Sequence, residues 1–376
     1  MAIRIQLRKD HPDVWDSADP VLAAGEFGFA WDSADSASFG RLKIGDGSTS
    51  WTNLPYFYSA GDSAGNYASA GGAGAVWYGD RGVFSGGYSS SNDNTMDYVD
   101  ITSASNATDF GDLTTARYEL GSASNATSIF IAGGAIDNSP FVVNTIDYIT
   151  VASTSSASDF GDLTATNRYL HATSNGTLGL IIGGDGGTKS FYCDYITMAT
   201  ASNATSVGTL TQGSQNGSGC SDGTYSVSHA GQYYSGGSLT GQSNILFYLT
   251  IATSGDTTDF GDLTNLDAFG QYNTAATSDA TTGLFSGGNR TTANNSIHYV
   301  TIATPGNSAD FGDLTAATHS HAGSSNNTYG LFAGGNVSGN SNKIDYITIA
   351  SAGNAADFGD LSVARDSLTG SSGSPS

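Results

Sequence analysis

Aspartates at a fixed spacing are the first groups in this sequence that could do chemistry. Asp-Phe-Gly-Asp-Leu stands at 109–113 and begins again at 159, 259, 310 and 357. In one class of phosphoryl-transfer enzymes such an aspartate holds magnesium, but together with a Gly-rich loop, a strand lysine and an H-R-D-x-x-x-x-N loop. The chain has none of these partners, and 12 Lys and Arg against 34 Asp and Glu, a formal net charge of −22, leave little to hold a polyphosphate. Five copies point to a structural repeat, with the aspartates expected to cap turns. The D-x-x-D spacing offers hard oxygens to calcium but falls short of the ligand count of a calcium loop.

Other chemistries fare no better. Glutamate occurs only at Glu26 and Glu119, so an acid/base pair would have to come from aspartates, and glycoside hydrolysis needs two carboxylates at a defined separation. His319 and His321 would share one face of a strand and suit zinc, yet His321 aligns with Leu120, Leu170 and Leu368, which favours a packed core histidine. Cys193 and Cys220 lie in neighbouring irregular repeats and are expected as free thiols. No nucleophile elbow or phosphate loop stands out. The expectation is a non-enzymatic protein with no catalytic residues, no metal and no cofactor.

The elements that carry these residues follow from the repeat. Gly-Gly pairs after apolar residues begin at 86, 133, 183, 236, 287 and 334, and an alternating run opened by Tyr98, Tyr148, Tyr195, Tyr248, Tyr299 or Tyr346 follows each. Each tyrosine lies 11 residues before a pentapeptide, once SVGTL at 206–210 is accepted as the sixth copy. That constancy predicts a hairpin: Tyr-Ile-Thr-Ile-Ala alternates as a half-buried strand, and Asn, Ser, Ala and Gly form its turn. DFGDL becomes an outer strand, with Phe110, Phe160, Phe260, Phe311 and Phe358 packed between sheets beside Leu113 and its counterparts.

Six units of about 50 residues, each with four short strands, have the size of propeller blades. The strand ending in Gly-Gly, the aromatic strand after it, and the Arg of TTAR (Arg117) and SVAR (Arg365) resemble the kelch motif over 77–376, with Phe of DFGDL where kelch usually has Trp. The segment at 361 aligns with that at 113, so a C-terminal strand near 365–374 is expected to complete the first blade.

Composition excludes further classes. So acidic a chain lacks the Lys and Arg patches that neutralise phosphates, so no nucleic-acid partner is expected. No run approaches 18 apolar residues and the N-terminus lacks a signal-peptide core, so neither membrane insertion nor secretory export is expected.

Residues 1–57 differ in kind, with short alternating runs (IRIQLR, EFGFAWD, RLKIG) between Pro, Gly and Asp turns. They read as a small β-domain that oligomerises to bury enough surface. Residues 58–76 read as a Gly/Ala-rich linker. Ile5 to Arg8 with Asp10, Trp15, Asp19 to Glu26 with Gly28, and Arg41 to Tyr56 closely resemble the N-terminal domain of phage tail-fibre and receptor-binding proteins, including the major tropism determinant family. The resemblance implies a virion-attachment module assembling as a homotrimer on other tail or capsid proteins, in a virion assembled in the host cytoplasm. The whole then reads as all-β: a trimerising N-terminal domain (1–57), a linker (58–76) and a six-bladed kelch-like β-propeller (77–376). Its expected role is a tail fibre or receptor-binding protein that attaches to a host-surface glycan or protein. Alternatives are a capsid or neck appendage, or a polysaccharide depolymerase.

Between each Gly-Gly and its tyrosine the residues differ from unit to unit, as binding residues on a rigid scaffold do. Candidate receptor-face residues are therefore Phe141, Val142, Tyr192, Asn289 and Asn336, with Phe141 and Tyr192 as stacking groups.

Overall fold

A computed structural model describes residues 8–10, 17–23, 26–30, 41–44, 47–48, 50 and 56–58, and then 78–375 apart from 186–191, 211–212, 236–237, 253–256, 265–269 and 290–291. The chain divides into two compact units, Met1–Gly74 and Ala75–Ser376. The first holds a four-stranded sheet of Arg8–Asp10, Phe27–Ala30, Arg41–Ile44 and Tyr56–Tyr58 in that order, its first pair parallel and the others antiparallel. Most of the expected linker, 59–76, lies outside the described residues.

The second unit is a six-bladed β-propeller of four-stranded sheets. Its innermost strands are Thr369–Gly373, Gly121–Ser124, His171–Ser174, Ser218–Ser221, Ala275–Ser278 and Ala322–Ser325, for blades 1 to 6, and each touches the next around the ring. Gly, Ala, Ser and Thr dominate these strands because six backbones converging on one axis leave no room for long side chains. Blade 1 is composite: Thr369–Gly373 pairs antiparallel with Arg81–Tyr88, so the C-terminus closes the ring on the first strand.

The outermost strands are Thr108–Asp112, Ser158–Asp162, Thr205–Thr209, Thr258–Asp262, Ala309–Thr318 and Ala356–Asp360. Each carries a β-bulge at the same place. Asp147 pairs with Asp159 and Ile146 with Gly161, leaving Phe160 unpaired, and Asp194 with Ser206 and Cys193 with Gly208 leave Val207 in the same way. The bulge aims the aromatic ring at the next blade. Phe110 is 2% exposed and packs with Ile129, Ile131 and Ile149 of blade 2, and Phe358 closes the circle against Phe84 and Val99 of blade 1. Six such clusters fill the six blade interfaces. The strand tyrosine meets the same ring edge-on, as in Tyr98–Phe110 at 5.9 Å and Tyr148–Phe160 at 5.8 Å. Fully burying one such phenylalanine contributes about 2–3 kcal/mol.

The rest of DFGDL works differently from a turn cap. Asp109 Oδ1 does accept from Gly111 N at 3.2 Å. The larger role is a clasp between blades, made by the second aspartate's backbone. The N–H groups of Asp162, Asp262, Asp313 and Asp360 donate to Asn203, Asn307, Asn354 and Asn106 Oδ1 of the following blade's turn at 3.0–3.1 Å. Asp112 uses Ser156 Oγ instead. The same five carbonyls accept from Ala204, Ser308, Ala355, Ala107 and Ala157 N–H at 2.8–2.9 Å. Gly111, at φ 139°, brings its α-carbon so close that a Cβ would lie 2.6 Å from the Ser155 carbonyl carbon. The turn sequences SASNAT and SAGNAA are thus the other half of the clasp.

Two sequence assignments need correction. The Gly-Gly expected at 236 lies outside the described residues, and the second strand of blade 4, Tyr225–His229, runs instead into Ala230-Gly231; Ala230 N donates to Ile245 O, as Gly133 N does to Thr145 O. Gln232–Ser235 and Ser238–Gln242 pair as an extra antiparallel hairpin inserted after it. His319 and His321 do not share a strand face, because Ala309–Thr318 ends before them and Ser320 between them takes φ 57°. His321 is buried, with Nε2 at 2.8 Å from Ser286 Oγ. Cys193 and Cys220 are buried free thiols, and burial pushes Cys193 up to about 12.

Candidate functional site

Two kinds of segment meet on one face of the propeller: the loops between second and third strands, and the connectors that lead from each outer strand to the next blade's inner strand. Tyr118, Tyr272 and His319 of the connectors bridge to Ala135, Asn289 and Asn336 of the loops. One connector residue per blade adopts the left-handed conformation: Glu119, Tyr169, Asn216, Asn273, Ser320 and Ser367, with φ between 55° and 63°. Non-glycine residues persist there only when their surroundings over-determine them. Here a closed cycle does so: Glu119 N–H donates to Ser367 O, Tyr169 to Glu119, Asn216 to Tyr169, Asn273 to Asn216, Ser320 to Asn273 and Ser367 to Ser320, at 2.7–3.2 Å.

These six side chains rim a cup of about 70 Å³ at the mouth of the axial channel. Beneath the rim stand Leu368, Leu120 and Leu170 of blades 1 to 3, whose side chains are buried in the blade interfaces, and Gly217, Thr274 and His321 of blades 4 to 6. Below the cup the inner strands enclose a further space of about 100 Å³, walled mainly by Ser, Thr, Ala and Gly with His171 and His321 among them. A second set of cross-blade bonds ties the far end of these strands: the hydroxyls of Ser174, Ser221, Ser278, Ser325 and Ser372 donate to the carbonyls of Ser124, Ser174, Ser221, Ser278 and Ser325.

The rim carries charge on one side. Arg168 lies 3.5 Å from both Glu119 and Asp185 and stacks over the Tyr169 ring at 4.7 Å. Burial pushes Glu119 up to about 7, although Arg168 and Tyr169 pull the other way. Burial, with the Glu119 carboxylate adding to it, raises the Tyr169 phenol. Tyr88 and Tyr118 stand edge-on at 5.4 Å nearby.

The candidates chosen from sequence are spread over this face. Phe141 is 59% exposed at φ 66°, on the loop whose Val142 bridges back to Ala135. Asn289 and Asn336 lie in loops that hydrogen-bond the connectors at Tyr272 and His319. Asn336 Nδ2 also donates to Asp366 at 3.2 Å. Tyr192 is half-buried at the start of strand Tyr192–Thr197, and its hydroxyl joins Asp194 to Thr164 of the preceding blade's connector. Its phenol therefore ties two blades together.

The rim itself was missed. A signal existed: Tyr118-Glu119, Arg168-Tyr169, Gln215-Asn216, Tyr272-Asn273, His319-Ser320 and Asp366-Ser367 are six different dipeptides in equivalent places. The opposite face shows the contrast. There Asn125, Asn175, Asp222, Asp279 and Asn326 each accept backbone N–H groups two and three residues on, one turn repeated blade after blade. Among the described residues no three His, Cys, Asp or Glu side chains come together as a metal site.

Compared with known proteins, the chain matches no family model and no curated protein sequence. The fold defines its class, a six-bladed β-propeller.

Proposed function

We propose that the chain is a phage virion structural protein, a tail fibre or receptor-binding protein whose propeller attaches to a host-surface glycan or protein. The observation that carries this reading is the contrast between the two faces. One repeats a single Asx turn from blade to blade, while the other presents Tyr, Arg, Glu, Asn, His and Asp at equivalent positions. Variation confined to one face of a repeated scaffold is what recognition requires. The tail-fibre-like motifs of residues 1–57 supply the other half of the reading: attachment, as a homotrimer, to tail or capsid proteins of the virion.

The test is binding of the purified chain to a panel of bacterial surface polysaccharides and to whole cells, with sugar chain length followed afterwards. The expected result is saturable binding with chain length unchanged. Shorter sugars would mean a depolymerase, and no binding to any cell or polysaccharide would favour an appendage without a receptor role.

A further inference from the structure

Among the described residues Phe141 is the most exposed large apolar side chain, at 59%. It sits on the loop of blade 2, whose span 135–147 is three residues longer than the loops of blades 1, 3, 5 and 6. The excess makes a tip in which Asp137 to Phe141 are all exposed. The tip is closed on itself: Phe141 N–H donates to Asn138 O at 2.8 Å, Ile136 N–H to Phe141 O at 2.9 Å, and Val143 N–H to Gly134 O at 3.1 Å. Phe141 holds φ 66°, an outlier for a bulky residue that persists only where its surroundings impose it. A large apolar ring is thus held out in water on a fixed backbone before any partner arrives, which is how an interface anchor is preorganised.

The shape of the tip and the charge around it select the partner. A sugar would stack on one face of the ring and leave the other wet, whereas a pocket on a folded protein covers both. Behind the tip the paired backbones lead to two half-buried tyrosines: Val142 pairs with Ala135, Ala135 with Tyr118, and Tyr118 stands edge-on to Tyr88 of blade 1. Carboxylates border this strip. Asp137 lies on the tip itself, with the neutral Asn92 amide beside it, and Glu119 follows Tyr118. Burial raises the Tyr118 phenol, and Glu119 and Asp137 both add to that push. Arg168, the cation that acts on the same phenol, is held by Glu119 and Asp185. With a net charge of −22 on the chain, the partner that complements this strip brings Lys or Arg to its edge. We infer that Phe141 anchors a protein–protein contact, its ring in an apolar pocket of a host-surface protein whose rim carries Lys or Arg facing Asp137. This rests on the receptor-binding reading and names the receptor as a protein.

The test is binding of the labelled full chain, with and without Phe141→Asn, to the bacterial cells that the panel above shows it to bind, before and after those cells are treated with a broad-specificity protease. Asn accepts the left-handed backbone readily, so the variant should melt as the parent does. Protease treatment should abolish binding by the parent, and raised salt should weaken it. Phe141→Asn should bind untreated cells about thirtyfold more weakly or worse, the loss of one anchor residue. If the parent binds protease-treated cells as well as untreated ones, the receptor is a glycan; if Phe141→Asn binds as the parent does, the anchor lies elsewhere; if salt leaves binding unchanged, the partner's rim is not basic. Any of these overturns the inference and leaves the receptor reading standing. A change in the oligomeric mass of the chain on Phe141→Asn would make the tip a contact between copies and overturn it too. If the chain binds no cells, both fail.

Discussion

The backbone N–H of Asp360 donates to Asn106 Oδ1 at 3.1 Å, and Ala107 N–H returns a bond to Asp360 O at 2.8 Å. This pair joins blade 6 to blade 1 at the outer edge of the ring, while near the axis Thr369–Gly373 joins the C-terminal segment to the first strand of blade 1. Closure thus depends on two separate latches at opposite ends of one blade.

Deleting residues 365–376 should therefore destabilise the whole propeller. It removes the inner strand of blade 1 and the Arg365–Asp97 pair, and exposes a sheet edge. Thermal melting should fall by well over 10 °C, on the scale of about 2–4 °C per kcal/mol lost for a domain somewhat smaller than this one. An unchanged melting temperature would show that the ring does not need this strand.

Gly111→Ala tests the outer clasp between blades. The new Cβ meets the Ser155 backbone at 2.6 Å in a conformation that suits only glycine, so the blade 1–2 junction must shift. A loss of about 2–3 kcal/mol is expected in urea unfolding. Ala104→Gly, on an exposed turn, serves as the control.

The Arg117–Asp147 pair is buried completely at 2.9 Å, and Arg117 also donates to the carbonyls of Gly133 and Thr145. Asp147→Ala should cost about 3–5 kcal/mol because it leaves a buried guanidinium without its counter-charge. Arg117→Met with Asp147→Leu should recover most of that loss. A double-mutant cycle of denaturant midpoints measures the coupling.

Acid should weaken the fold through its buried histidines. Burial lowers His171 and His321 to about 3 and His229 to about 4. Between these values and the unfolded value near 6.5 the unfolded chain takes up protons that the native one refuses, so stability is full above about pH 6.5 and is lost as pH falls. Each histidine contributes a slope of at most about 1.4 kcal/mol per pH unit. His321→Leu, which copies Leu120 and Leu170, should flatten the profile between pH 6.5 and 4. Glu119 acts in the opposite sense: raised to about 7, it stabilises below pH 4.5 and loses that contribution as pH rises to 7. Glu119→Gln should flatten that window instead.

Much of the fold was legible because blades repeat in sequence. The 11-residue interval from tyrosine to pentapeptide marked the outer hairpin, and Phe110 and its counterparts are the buried bulge residues. Contacts between blades were not legible in the same way. Nothing local links Asn106 to Asp360, and only the closed ring shows that the turn and the pentapeptide are two halves of one joint. Blade 4 misled because its strand runs into Ala230-Gly231, whereas the sequence offers a Gly-Gly at 236. The cup escaped notice for a related reason: its rim is one left-handed residue per blade, and a single variable position looks unremarkable until six of them are brought around an axis.

Competition for adsorption decides whether the loop face is the one that meets the host. On the proposed reading, purified chain is added to host bacteria ahead of the phage that would carry it, in parallel with a loop-face variant (Phe141→Ser with Ser367→Tyr) and an opposite-face variant (Ala104→Arg with Thr154→Arg). The parent chain and the opposite-face variant should block adsorption, and the loop-face variant should not. Equal blocking by both variants, or blocking lost only with the opposite-face changes, would contradict that reading.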